Sequence, residues 1–253
     1  MKSAMRHAIG AGMLMLAIAA PVSAETRKYD LAGFHRIEAS KAFTIRFTQS
    51  PDWSVTVDSR NNNLDQIVVE KEGDTLRITR PEGFCMMILR DGRTTAAGDT
   101  SRSDCLNHDV DDVVTVSAPG LDALALDAAI KFTADRLKAD SLDIRAHAAA
   151  VVEIGKLTAG AVDAHVDAAS RLTLAGSCKT LDVELGAASK VEAANLKCTD
   201  ASVDAGAASS AQVYASRKAT ARAGVAANVQ VSGHPKDFQK SADRYASNAS
   251  LVE

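Results

Sequence analysis

The sequence is short of the features that usually announce a chemistry. Aromatic residues make up 4% of its 253 positions, with one Trp and three Tyr, too few to line a deep aromatic groove. Its formal net charge is −3 at pH 7. No basic cluster offsets that balance, so nucleic acid and anionic membrane are not expected partners. No nucleophile elbow, phosphate loop, Walker-type motif or metalloprotease helix occurs. No His or Cys pair has zinc-finger spacing, and no metal or cofactor is expected. Beyond residue 24 no apolar stretch is long enough to span a bilayer.

What is present begins with an export signal. Lys2 and Arg6 precede an apolar run from Ala8 to Ala20, and Val22-Ser23-Ala24 supplies small residues for cleavage before Glu25. Removing 24 of 253 residues leaves about 229, with 27 basic against 32 acidic groups, a net charge of −5. That is enough chain for one large domain or two modest ones. No Cys follows the cleavage site, which argues against a lipid anchor. The mature chain is expected to be exported and soluble.

From Leu121 to Gly233 one short text is written six times. Its small-residue anchors are Asp127-Ala128-Ala129, His147-Ala148-Ala149, Asp167-Ala168-Ala169-Ser170, Gly186-Ala187-Ala188-Ser189, Gly206-Ala207-Ala208-Ser209 and Gly224-Val225-Ala226-Ala227. They step by 20, 20, 19, 20 and 18 residues, the signature of a solenoid in which each copy is one rung. Within a copy the period is 2, as in Leu142-Asp143-Ile144-Arg145 before an anchor and Leu172-Thr173-Leu174 after one, which is strand spacing. Each copy therefore reads as two short strands joined by a tight Gly/Ala/Ser corner. The polar residues alternate and gather on no helical face, which disfavours a helix.

Two strands fill a copy, so successive copies must stack as a parallel β-helix. Six rungs at roughly 4.8 Å make a rod about 29 Å long. Leu142, Val162, Leu181 and Ala201 then share one apolar column, and Phe132, Val152, Leu172, Val191, Ala211 and Val229 another. The expected layout is a signal over 1–24, irregular N-terminal β rungs or a β-cap over 25–120, regular repeats over 121–240 and a tail over 241–253. The front is bulkier, holding Phe34, Phe43, Phe47 and Trp53, and Trp53 is expected in its core. Residues 81–112 break the pattern and read as a surface loop inserted between rungs.

The four cysteines belong to an exported chain and are expected to pair. Cys178 and Cys198 lie 20 apart, each three residues before the first inward position of the next strand. Adjacent rungs bring such Cα atoms to about 4.8 Å, within disulfide reach. The expected bridges are Cys178 to Cys198 and Cys85 to Cys105.

Phe34-His35-Arg36-Ile37, Val55-Thr56-Val57, Asp74-Thr75-Leu76-Arg77-Ile78, the repeated corners and Ser232-Gly233-His234-Pro235-Lys236 together resemble the GIN head domain, a bacterial family labelled an auto-transporter adhesin head. The resemblance spans about Tyr29 to Lys240. It implies a right-handed parallel β-helix in the periplasm or at the cell surface, and it brings no catalytic residues. Where that family has Ser-Gly-Ser-Gly corners, this chain has Gly-Ala-Ala-Ser, with Asp or His replacing the Gly in the first three copies.

Stacking also files the outward residues. One file is Asp143, Asp163, Asp182 and Ser202; the next is Arg145, His165, Glu184, Asp204 and Arg222; a third begins Asp127, His147, Asp167. The candidate binding face is Asp143, Arg145, Asp163, His165, Asp182 and Glu184. Two functions fit it. The first is a non-enzymatic binding or structural module presenting this face to an envelope glycan, peptidoglycan or an envelope protein. The second is a polysaccharide-cleaving β-helix enzyme, in which Asp143, Asp163 and Asp182 hold a cation and Arg145 or His165 is the base. A solvated strand face needs the same residue types, and the Ala-rich corners favour the first. His35, His108 and His234 read as solvent or turn residues.

Overall fold

Alternating side chains on stacked strands settle the architecture, because every inward residue packs on its equivalent one rung away. The computed structural model describes residues 25–59, 64–81, 85–90, 93–98, 112–243 and 247–252; the expected export signal lies outside them. The strands are β1 (Glu25–Tyr29), β2 (Arg36–Ser40), β3 (Thr44–Gln49), β4 (Ser54–Ser59), β5 (Val68–Glu72), β6 (Thr75–Thr79), β7 (Cys85–Arg90), β8 (Arg93–Gly98), β9 (Val113–Ala118) and β10 (Ala123–Asp127). They continue as β11 (Lys131–Ala134), β12 (Leu137–Ala146), β13 (Val151–Val166), β14 (Arg171–Leu185), β15 (Lys190–Ala205), β16 (Ser210–Ala223), β17 (Asn228–Ser232), β18 (Asp237–Ala242) and β19 (Asn248–Leu251). From β10 onward the pairings are parallel, and equivalent residues stand 17 to 20 apart. The chain is a parallel β-solenoid with rungs of about 20 residues.

Each rung has three sides, where the sequence suggested two strands. Along β13 the alternation of buried and exposed residues breaks at Gly155-Lys156 and again at Gly160-Ala161. A short middle side therefore separates Val152 and Ile154 from Val162, Ala164 and Val166. It is the file Ala139, Ala159, Cys178, Cys198 and Ala215. Cys178 and Cys198 are bonded there with a Cα separation of 4.4 Å, as their spacing predicts. Cys105, the expected partner of Cys85, lies outside the described residues.

The front is closed by antiparallel pairing. On one side β5 caps β6, which runs parallel to β2 and so to β10. On another, β1 and β9 flank β4 antiparallel, and β9 joins β3. The stretch read as a plain loop contains β7 and β8, paired antiparallel as a separate two-stranded sheet. Where the chain leaves for that insertion and where it returns, Arg80 and Asp112 form a buried ion pair of 2.7 Å. Arg80 also donates to the carbonyls of Lys41 and Ala42, which satisfies the guanidinium in a dry setting.

Trp53 corrects a third expectation, since it is 40% exposed and not in the core. It precedes β4, and its indole N–H donates to the Phe34 carbonyl at 3.1 Å. At the far end the tail continues the ladder, β18 pairing with β16 and β19 with β17.

Candidate functional site

The outward files of one side are built by register alone. Asp143, Asp163, Asp182 and Ser202 are successive partners, as are Arg145, His165, Glu184, Asp204 and Arg222. Through β10, β2 and β6 the second file extends to Ala125, Glu38 and Arg77, an extension the sequence did not reveal. Three carboxylates stand one above another at rung spacing, and such crowding is unfavourable unless cations sit beside them.

Partners for two of them come from the adjacent file. Arg145 donates to Asp143 Oδ2 at 3.1 Å. His165 bridges two rungs, with Nδ1 3.3 Å from Asp163 and Nε2 2.6 Å from Glu184. Among the described residues Asp182 has no ion-pair partner, and Asp143 Oδ1 is buried without a hydrogen bond. The six predicted residues thus form a strip of excess negative charge, in which Asp143, Asp163 and Glu184 are paired and Asp182 is not. Among the described residues no three His, Cys, Asp or Glu side chains converge as a metal site would require.

The third file adds His147, whose Nδ1 lies 2.9 Å from Asp127 Oδ1. That hydrogen bond, helped by the charges of Asp127 and Asp167, raises the His147 pKa above its ordinary value. Beside it the strip dips. Ala125 stands between Glu38 and Arg145 in the file, and its short side chain leaves an open recess of about 370 Å³ walled by Arg77, Asp127, Arg145 and His147.

One cluster escaped sequence reasoning. His35 sits between two carboxylates, Nε2 3.3 Å from Asp74 and Nδ1 2.9 Å from Asp122. Its backbone is bonded to the same two residues, His35 N donating to Asp74 O and Asp122 N to His35 O. The three come from separate parts of the chain, and only the register of β6, β2 and β10 unites them.

A family model described as "Putative auto-transporter adhesin, head GIN domain" matches residues 33–235. Among solved structures, a putative adhesin from Bacteroides fragilis superposes with a TM-score of 0.75 at 18% identity, covering 89% of this chain and 95% of its own. A putative adhesin from Parabacteroides merdae gives 0.65 at 14%, covering 91% and 96%. A putative lipid binding protein from Parabacteroides distasonis gives 0.64 at 14%, covering 91% and 97%. At these identities the structures establish likeness of fold. No curated protein matches the chain.

Proposed function

The chain belongs to the auto-transporter adhesin head, GIN domain family, and on that premise we propose that it is a non-enzymatic binding module of the bacterial envelope. It is exported to the periplasm or cell surface, and its charged strip engages a glycan, peptidoglycan or envelope protein. The observation that carries this reading is the continuous register of one outward file from Arg77 through His165 to Arg222, polar at every position but Ala125. A rigid ladder repeating at about 4.8 Å presents a long ligand with many weak contacts at little ordering cost. The adhesin-like relatives support an exported or surface setting, and no described helix is long and apolar enough to cross a membrane.

The lyase-like alternative needs carboxylates that converge on a cation and a base free to take a proton. Here Arg145 and His165 are engaged by Asp143, Asp163 and Glu184, which favours binding over turnover. The test uses residues 25–253 with acidic and neutral polysaccharides and peptidoglycan, in the presence of calcium. Co-sedimentation without new chain ends is the expected result, weakened in Asp163→Ala. New chain ends that vanish in the same variant would make the strip an active site and overturn the proposal.

A further inference from the structure

A second concavity lies near the C-terminal end of the rod, on the side formed by the first halves of β15 and β16 with β17. It has a volume of about 540 Å³ and is lined by Asn195, Lys197, Gln212, Tyr214, Gln230 and His234 among others. Its chemistry is the reverse of the charged strip: among the described residues no carboxylate lines it. The nearest acidic position in the same file is Glu192, one rung from Gln212. Glu192 is engaged by Lys190 and lies 3.5 Å from Arg171. The bond from Lys190, with the charges of both cations, holds its pKa below the usual carboxylate range, so its charge is fixed and locally answered.

The lining groups are held in place yet retain bonding capacity. Gln212 Nε2 donates to Gln230 Oε1 at 3.1 Å, which leaves the Gln212 amide oxygen and the remaining N–H groups of the pair with capacity for a ligand. Asn228 and Asn248 repeat the arrangement beside them at 3.1 Å. Lys197 Nζ donates to the Ala194 carbonyl at 3.1 Å and sits 4.0 Å from the Tyr214 ring centroid. A Lys fixed in that way is a preplaced positive charge with two donors to spare. Gly233, at φ +93°, packs its backbone against the same ring, where a Cβ would lie 2.6 Å from Tyr214 Cε2. The ring is thereby locked, and with it the floor of the recess.

Side-chain amides offer donor and acceptor together, which is what vicinal hydroxyls require, and one unopposed cation selects a negative charge. We infer that this recess binds an anionic saccharide, its carboxylate at Lys197 and its hydroxyls on Gln212, Gln230 and Asn195. The site is separate from the charged strip and does not rest on the function proposed for it.

The test is calorimetric titration of the full chain with an oligogalacturonate, its neutral methyl ester and inorganic phosphate. Expected is saturable binding of the oligogalacturonate, weakened at least about tenfold in the ester and in Lys197→Gln. Gln230→Ala should weaken it severalfold. Asp163→Ala on the charged strip should leave it unchanged, and circular dichroism should show every variant folded. Absence of oligogalacturonate binding, equal binding by Lys197→Gln, equal binding of the ester, or phosphate binding as tight as the saccharide would each overturn the assignment. Loss of binding in Asp163→Ala, with Lys197→Gln unaffected, would move the saccharide to the strip.

Discussion

The two ends of the rod are built from the same rung in different materials. The front core holds Phe34, Phe43, Phe47 and Phe132, all buried, with the rings of Phe47 and Phe132 stacked at 6.1 Å. In the rear, β16 turns Ala211, Ala215, Ala219, Ala221 and Ala223 inward, and only Val213 among its buried side chains is larger. The corners change at the same point. Ala128-Ala129, Ala148-Ala149 and Ala168-Ala169 are all left-handed, whereas in the rear Gly186, Gly206 and Gly224 open each corner and a single left-handed Ala follows. A solenoid's stability is close to a sum over neighbouring rungs. The front therefore gains more from apolar burial, while the rear adds to its smaller core the Cys178–Cys198 bond and buried hydroxyls such as Ser189 and Ser209, which bond to corner carbonyls.

The largest expected effect tests the front. Phe132 and Val229 stand in one file, toward the front and the rear respectively, linked through Val152, Leu172, Val191 and Ala211. Phe132→Ala should cost about 3–5 kcal/mol in urea unfolding, against about 2 kcal/mol for Val229→Ala. Equal losses would erase the distinction between the ends. Next comes the rear. Replacing both Cys178 and Cys198 by Ser opens a loop of about 20 residues and should cost roughly 3 kcal/mol. Hydrogen exchange should then quicken in β15 to β19 while β2, β3 and β10 stay protected. Uniform quickening would mean that the rod unfolds as one unit.

The corners give a smaller contrast of opposite signs. A Cβ on Gly206 would meet the Leu185 carbonyl oxygen at 2.7 Å, so Gly206→Ala should lower stability by about 1–3 kcal/mol. Ala149 is exposed with φ +64°, a conformation unfavourable for any side chain, and Ala149→Gly should gain up to about 1 kcal/mol. Thermal melting measures both. A loss from Ala149→Gly would show that chain entropy outweighs the strain.

The rod was legible because two periods coincide: alternation at 2 within a strand and recurrence near 20 between rungs. That is why the register pairs Asp143 with Asp163 and Asp182, and why Cys178 meets Cys198. The third side was hidden, since Gly155-Lys156-Leu157-Thr158-Ala159 carries too few inward residues to show a period. Trp53 is in phase with the buried Val55 and Val57, so alternation pointed it inward. It stands just before β4, however, where the chain turns, and the bond to the Phe34 carbonyl holds the indole outside. The cluster of His35, Asp74 and Asp122 was hidden for a related reason: the cap pairs strands out of sequence order, and no period links them.

The last contrast concerns charge at the corners. The file that holds Asp127, His147 and Asp167 in the front holds Gly186, Gly206 and Gly224 in the rear, so corner titration belongs to the front alone. His147 is held above its ordinary pKa by its hydrogen bond to Asp127 first, and by the charges of Asp127 and Asp167 after it. A cation favoured in the folded state stabilises fully below the unfolded imidazole value of about 6.5, and that contribution disappears as pH rises through the higher folded value. Stability should therefore fall slightly across that window in the native chain and stay flat across it in His147→Gln. Because the pair is exposed, the effect is the smallest of the four, and titration of the imidazole by NMR reads it more directly than unfolding. A midpoint at or below the ordinary value would break the link between Asp127 and His147. A normal midpoint in Asp127→Asn would confirm it.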